Sequence, residues 1–293
     1  MSQPATYALK TDYVTTMRMI AFKLRLPSAL AVGLALLLAA GGCGSEPNSD
    51  QAAPRHIDVD TAAGFTQTLV FVDASESARI SDYTQQVFRD SLRGIVKADL
   101  DEPGDRLALY PVHEETTSKV GQWSVKNDIP VPEWSQFETD RNSARIEFNG
   151  RLNRFVENTG NASVKTLRKV LTNERFTQWT DLWGTLQVIS EEVDTSATRA
   201  EVYYFSDMFE SMPGQKRRNF DRVPPSSKTE AEKWAAQDAK ALRNLIKVRL
   251  PVLKEIHVRV LPGGLATKDH ADAVKYYWER LFRELGVPEV SYN

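Results

Sequence analysis

At 293 residues the chain can hold one large domain or two small ones, and its 41% hydrophobic and 26% charged residues mark an ordinary globular protein, not a disordered one. The formal net charge is −2 at pH 7, and without residues 1–42, which carry four basic residues and one acid, the balance falls to −5. There is no basic footprint for nucleic acid, and non-specific attraction to anionic partners is excluded.

The N-terminus carries an address. Arg18, Lys23 and Arg25 form a positive region, followed by an uncharged apolar run from Ala29 to Ala40. Twelve residues are too few to span a bilayer and suit the core of a signal peptide. The run ends Leu-Leu-Ala-Ala-Gly-Gly-Cys43. This resembles the bacterial lipoprotein cleavage box, although Ala40 stands where leucine is commoner. The resemblance implies cleavage before Cys43, lipid on its sulfur, and residues 1–42 as signal peptide. Residues 1–16 lack signal character, so translation is expected to start at Met17 or Met19. Gly44 stands where an aspartate would retain a Gram-negative lipoprotein in the inner membrane, which implies an envelope protein anchored in the outer membrane. Cys43 is the only cysteine, so no internal disulfide and no thiolate metal site can form.

Residues 43–56 are polar, contain prolines and show no periodicity, as expected of a lipidated tether. The folded domain is expected over 57–293. Leu69-Val-Phe-Val72 is an apolar run too short for a helix and suits a buried strand of a parallel sheet. It ends in Asp73-Ala-Ser75-Glu-Ser77. An amphipathic helix is predicted from Ser81 to Ala98, and a second strand at Arg106–Val112 makes a right-handed crossover unit with the first. An edge strand is expected over Lys119–Val125, a loop over Asp128–Gln136, and helices over Arg145–Val156 and Ala162–Asn173. Asp181–Val193 has a clear helical period. Glu201–Phe205 repeats the opening theme, a buried strand followed by Ser206-Asp207. A helix at Thr229–Val248, a strand at Ile256–Leu261, a helix at Ala271–Leu285 and a last strand at Val287–Tyr292 complete the pattern. Alternating strands and helices predict an α/β fold, one doubly wound domain with a mostly parallel central sheet flanked by helices.

In such a sheet the carboxyl ends of the strands line the ligand crevice, so Asp73, Ser75, Ser77 and Asp207 fall in the binding position. Carboxylates with neutral hydroxyls are hard donors, suited to Mg²⁺ and not to zinc or copper. A simpler role remains open, since Asp and Ser also cap helices. Between the two strands lies Trp179-Thr180-Asp-Leu-Trp183-Gly-Thr185-Leu186, a hydroxyl at the head of a helix.

The Asp-x-Ser-x-Ser loop after the first strand, a later Thr before a helix, and Ser-Asp after a central strand together resemble a von Willebrand factor A domain. Pro103-Gly-Asp-Arg-Leu-Ala-Leu109 before the second strand is also similar to that family, and the resemblance covers residues 65–293. It implies a metal-ion-dependent adhesion site holding Mg²⁺, or Mn²⁺ or Ca²⁺. Ser75, Ser77 and Thr180 would supply hydroxyls, and Asp73 and Asp207 would neutralise the ion directly or through water. One coordination position would remain for a carboxylate of a protein partner. Met208 and Phe209 depart from the family by replacing the glycine usual after that aspartate. Thr185 rivals Thr180, although the spacing to Leu186 favours Thr180.

Trp179, Trp183, Met208 and Phe209 cluster in sequence around the proposed loops, where they suit a partner-binding rim or, equally, the cover of a core edge. Four scattered histidines offer no zinc spacing, and there is no Walker-type phosphate loop. The expectation is therefore a binding protein rather than an enzyme. An enzymatic alternative is a haloacid-dehalogenase-like phosphatase, whose acid/base aspartate would stand at the place occupied by Ser75. A structural lipoprotein with a vestigial metal loop is the third. The anchor is tested first: radiolabelled palmitate should label the wild type and not Cys43→Ala, and equal labelling of both would refute it.

Overall fold

Strand β1 (Thr66–Asp73) lies in the middle of the sheet, paired in parallel with β2 (Arg106–Val112) on one side and β4 (Arg199–Ser206) on the other. The computed structural model describes residues 64–75, 82–133, 137–173, 179–214, 217–246, 250–262 and 269–292. Ser77, Cys43, the proposed signal peptide and the proposed tether lie outside these residues. Six strands form one sheet in the order β3-β2-β1-β4-β5-β6, with β3 (Trp123–Lys126), β5 (Ile256–Pro262) and β6 (Glu289–Tyr292) completing it. Only the β2–β3 pair is antiparallel. Both faces are buried around the centre, which is why β1 and β4 are apolar runs without alternation.

The period of two divides the strand residues between two cores. On one face Phe71 stacks on Tyr110 and Tyr204, with ring centroids 5.4 and 5.2 Å away, so one aromatic row crosses β2, β1 and β4. Three helices cover this face: α3 (Leu182–Glu192), α4 (Lys228–Leu245) and α5 (Ala271–Leu285). Their buried residues include Leu186, Ala235 and Phe282. On the other face Val70, Val72 and Phe205 meet Phe88 and Leu92 of α1 (Asp82–Asp99) and Leu167 of α2 (Glu138–Leu171). Helices on both faces of a mostly parallel sheet make the fold the expected doubly wound α/β architecture.

Several elements stand where the periodicity puts them. The strand at Arg106–Val112 and the helix at Ala271–Leu285 coincide with prediction. The Pro103-Gly104-Asp105 turn also fastens two strands, because the Asp105 carboxylate accepts the N–H of Thr66 at 2.7 Å and that of Glu102 at 2.8 Å. It thereby pins the start of β1 to the start of β2.

Two expectations need correction. The edge strand begins at Trp123 rather than Lys119, because a short 3₁₀ turn at Thr116–Ser118 and left-handed backbone at Lys119 and Gly121 reverse the chain first. The two helices expected at Arg145–Val156 and Ala162–Asn173 are one helix of 34 residues. No proline interrupts it, and single glycines at 150 and 160 do not break it. At 1.5 Å per residue α2 is about 51 Å long, nearly twice the length of its neighbour α1. Its buried residues, which lie between Thr159 and Leu171, are all in the second half. Residues 138–143 are exposed, so the first half has no core to mark with a stripe.

Candidate metal centre

The strand order reverses direction between β1 and β4. From β1 the chain crosses to β2 on one side, and from β4 to β5 on the other, so the loops leaving their carboxyl ends diverge and open a crevice. Register places Val72 beside Phe205, which brings Asp73 and Ser206 side by side. The Ser206 hydroxyl donates to Asp73 Oδ2 at 2.8 Å, and Asp73 Oδ1 accepts the N–H of Ser75 at 2.9 Å. Asp207 follows, with its Oδ1 accepting the N–H of Phe209 at 2.9 Å. Asp73, Ser206 and Asp207 are fully buried, and Ser75 is nearly so.

Two carboxylates in one buried place are electrostatically uncomfortable. Burial, and then the negative charge of Asp207, push the Asp73 carboxyl up to about 7, against the hydrogen bonds from Ser75 and Ser206. Among the described residues no basic side chain forms an ion pair with Asp73. A divalent cation would supply the compensating charge. Two carboxylates with the hydroxyls of Ser75 and Ser206 are an oxygen-only donor set that fits Mg²⁺, Mn²⁺ or Ca²⁺ and offers nothing to a soft metal. Among the described residues no three His, Cys, Asp or Glu side chains group as a metal cage. The fit therefore depends on the carboxylate pair and its hydroxyls.

The backbone beside Asp207 bears out the departure noted in the sequence. Met208 has φ of +62°, the left-handed region in which a glycine costs nothing and a methionine costs about 1–2 kcal/mol. Its N–H donates to Ser206 Oγ at 2.8 Å, and its carbonyl accepts Trp278 Nε1 at 2.7 Å. Bonds on both sides of the residue hold the turn, and strain of this kind gathers at functional loops.

Thr180 is buried just before α3, and its N–H donates to Ser211 Oγ at 2.7 Å. Its rival Thr185 lies one turn further on. The Thr185 hydroxyl bonds the Leu182 carbonyl at 2.6 Å and the Tyr204 hydroxyl at 2.7 Å, inside the core. The proposed rim needs correction. Trp183, Met208 and Phe209 are 5%, 1% and 3% exposed and belong to the core under α3–α5, because the helices that pack there cover large aromatics at the end of the sheet. Only Trp179 is half-exposed.

Sequence reasoning gave Ser206 no role beyond its place in the Ser-Asp motif, and missed Glu210, Ser211 and Arg217. Glu210 is fully buried, and its Oε2 accepts the N–H groups of Leu182 and Trp183 at 2.8 and 3.2 Å. Arg217 bonds both Glu210 and Asp181 at 2.5 Å. Burial raises the Glu210 carboxyl to about 8, opposed by the Arg217 guanidinium. One signal was present: Glu210 is an acid set between Phe209 and Met212, a run otherwise fit for burial.

No protein-family model matches the chain, and no curated protein sequence matches it. Solved structures similar to it include proximal thread matrix protein 1 from the mussel byssus, at 11% identity over 78% of this chain and 44% of that one, with a TM-score of 0.35. The human COPII-coat protein Sec24c matches at 11% identity over 78% of this chain and 30% of its own, with a TM-score of 0.37. The pilus adhesin SpaC from Lactobacillus rhamnosus GG matches at 12% identity over 77% of this chain and 31% of its own, with a TM-score of 0.35. The chain spans less than half the length of each. Likeness at this level assigns neither activity nor partner.

The placement of Trp183 has a measurable consequence. Trp183→Ala should destabilise the domain by about 3–5 kcal/mol in urea unfolding, as expected for a large core aromatic. A loss within about 0.5 kcal/mol, normal for a surface position, would return this residue to the rim.

Proposed function

We propose that this chain is a cation-dependent protein-binding module of the von Willebrand factor A type, held on the bacterial cell envelope by lipid at Cys43. The observation that supports it best is the convergence of two buried carboxylates, Asp73 and Asp207, with the Ser206 hydroxyl at the switch point of the sheet. Asp73, Ser75, Ser77, Thr180 and Asp207 would hold Mg²⁺, or Mn²⁺ or Ca²⁺ in its place. The ion would supply positive charge to a crevice that has two negative groups. With two carboxylates and neutral hydroxyls as protein ligands, it keeps affinity for a further hard anionic oxygen. A partner's Asp or Glu offers one, so the partner is an acidic protein surface.

The function is binding rather than turnover. Among the described residues, Asp73 bonds the Ser206 hydroxyl and the Ser75 amide, and Ser75 stands where a phosphatase would position its second carboxylic acid. Met208, which stands where the family has glycine, keeps left-handed backbone of the kind a glycine adopts freely.

Linkage gives the test its magnitude. A ligand that binds only the folded state stabilises by about 2.7 kcal/mol at a hundredfold excess over its dissociation constant. Excess Mg²⁺ should therefore raise the melting temperature of the wild type and leave that of Asp73→Asn unchanged. The wild type should capture an acidic envelope protein in an EDTA-reversible manner and hydrolyse no generic phosphate ester. Mg²⁺-dependent hydrolysis lost in Asp73→Asn would overturn the binding reading in favour of a phosphatase.

A further inference from the structure

Thr180, just before α3, and the loop that follows Asp207 come from different parts of the chain, and they are sewn together. Thr180 and Ser211 bond reciprocally: the Thr180 N–H donates to Ser211 Oγ at 2.7 Å, and the Ser211 N–H donates to the Thr180 carbonyl at 3.1 Å. Beside them the Glu210 carboxylate takes the amides of Leu182 and Trp183, which begin α3 and have no intrahelical partner. The negative charge also suits the positive end of the helix dipole. Asp181 accepts the N–H of Gly184 at 2.7 Å in the same turn. Arg217 then bridges Asp181 and Glu210, with its guanidinium 4.9 Å from the centre of the Trp183 ring. Both acids are thus committed to helix amides and to Arg217, and neither is a spare metal ligand. The outer part of the loop is fixed in turn, since the Phe220 N–H donates to the Glu210 carbonyl at 2.7 Å and Asn219 donates to the Ser211 carbonyl at 2.9 Å.

We propose that Ser211, Glu210 and Arg217 are positioning residues that latch the Thr180 loop to the Asp207 loop and so set the cation affinity of the centre. The proposal rests on the cation-binding reading given above. Its physical basis is preorganisation: ligands on two loops that move independently must be ordered when the ion binds, whereas latched loops are ordered already. Partners that orient metal ligands without touching the metal commonly change affinity 10–100-fold. Ser211 is the most direct handle, because its side chain contributes one hydroxyl to the latch.

The test is Mn²⁺ titration calorimetry on the EDTA-stripped full chain as wild type, Ser211→Ala, Ser211→Thr and Glu210→Gln, with amide hydrogen exchange over residues 180–183 in the metal-free proteins. Ser211→Ala and Glu210→Gln should bind Mn²⁺ about 10–100-fold more weakly. Ser211→Ala should exchange faster at 180–183, and Ser211→Thr should restore both affinity and protection. If Glu210→Gln fails to fold, the Ser211 pair decides alone. Wild-type affinity and protection in Ser211→Ala would overturn the latch while leaving the metal centre standing. A wild type that binds no Mn²⁺ would overturn both.

Discussion

The structure turns on one constraint: two acidic side chains are forced into the same buried crevice. Strand β1 ends in Asp73 and β4 in Ser206-Asp207, and parallel pairing in register sets them next to each other. Each ionised carboxylate loses its hydration there, and the negative charge of Asp207 compounds the loss at Asp73. A sequence selected for stability alone would place apolar residues at such a point. The same loop also keeps Met208 in left-handed backbone, a further local cost. Costs that accumulate at one end of an otherwise well-packed sheet mark it as the place where the fold serves something other than itself.

The surrounding architecture bears the strain. The stacked row of Tyr110, Phe71 and Tyr204 ties β2, β1 and β4 together directly beneath the crevice. Tyr204 also bonds Thr185 of α3, and Trp278 of α5 holds the Met208 carbonyl. Helices that cover one face of the sheet therefore reach the loops as well as the core. Core and site are coupled through particular side chains, so a substitution such as Trp183→Ala acts on both.

Much of this was legible in the sequence because it is local. Four apolar residues mark a buried strand twice, ending directly in Asp73 the first time and in Ser206-Asp207 the second. Helical spacing of apolar residues located α1 and α3. The rest depends on contacts that periodicity does not carry. Helix α2 is far longer than α1, against which it packs, so its first half shows no stripe even though it is helical. Trp183, Met208 and Phe209 look like large loop side chains until the helices that cover this face are in place. The Asp181–Arg217–Glu210 cluster joins residues up to 36 positions apart, and Asp181 and Arg217 alone read as ordinary surface charges.

The central claim is that a divalent cation belongs between Asp73 and Asp207, and paramagnetic broadening by Mn²⁺ tests its location most directly. In the ¹H–¹⁵N spectrum of the EDTA-stripped protein, substoichiometric Mn²⁺ should first erase the amide signals of Ala74, Ser75, Met208 and Phe209. Val290 of β6 should stay sharp, and excess Mg²⁺ should restore the lost signals by competition. Broadening centred on another part of the chain, or none at all, would contradict the claim.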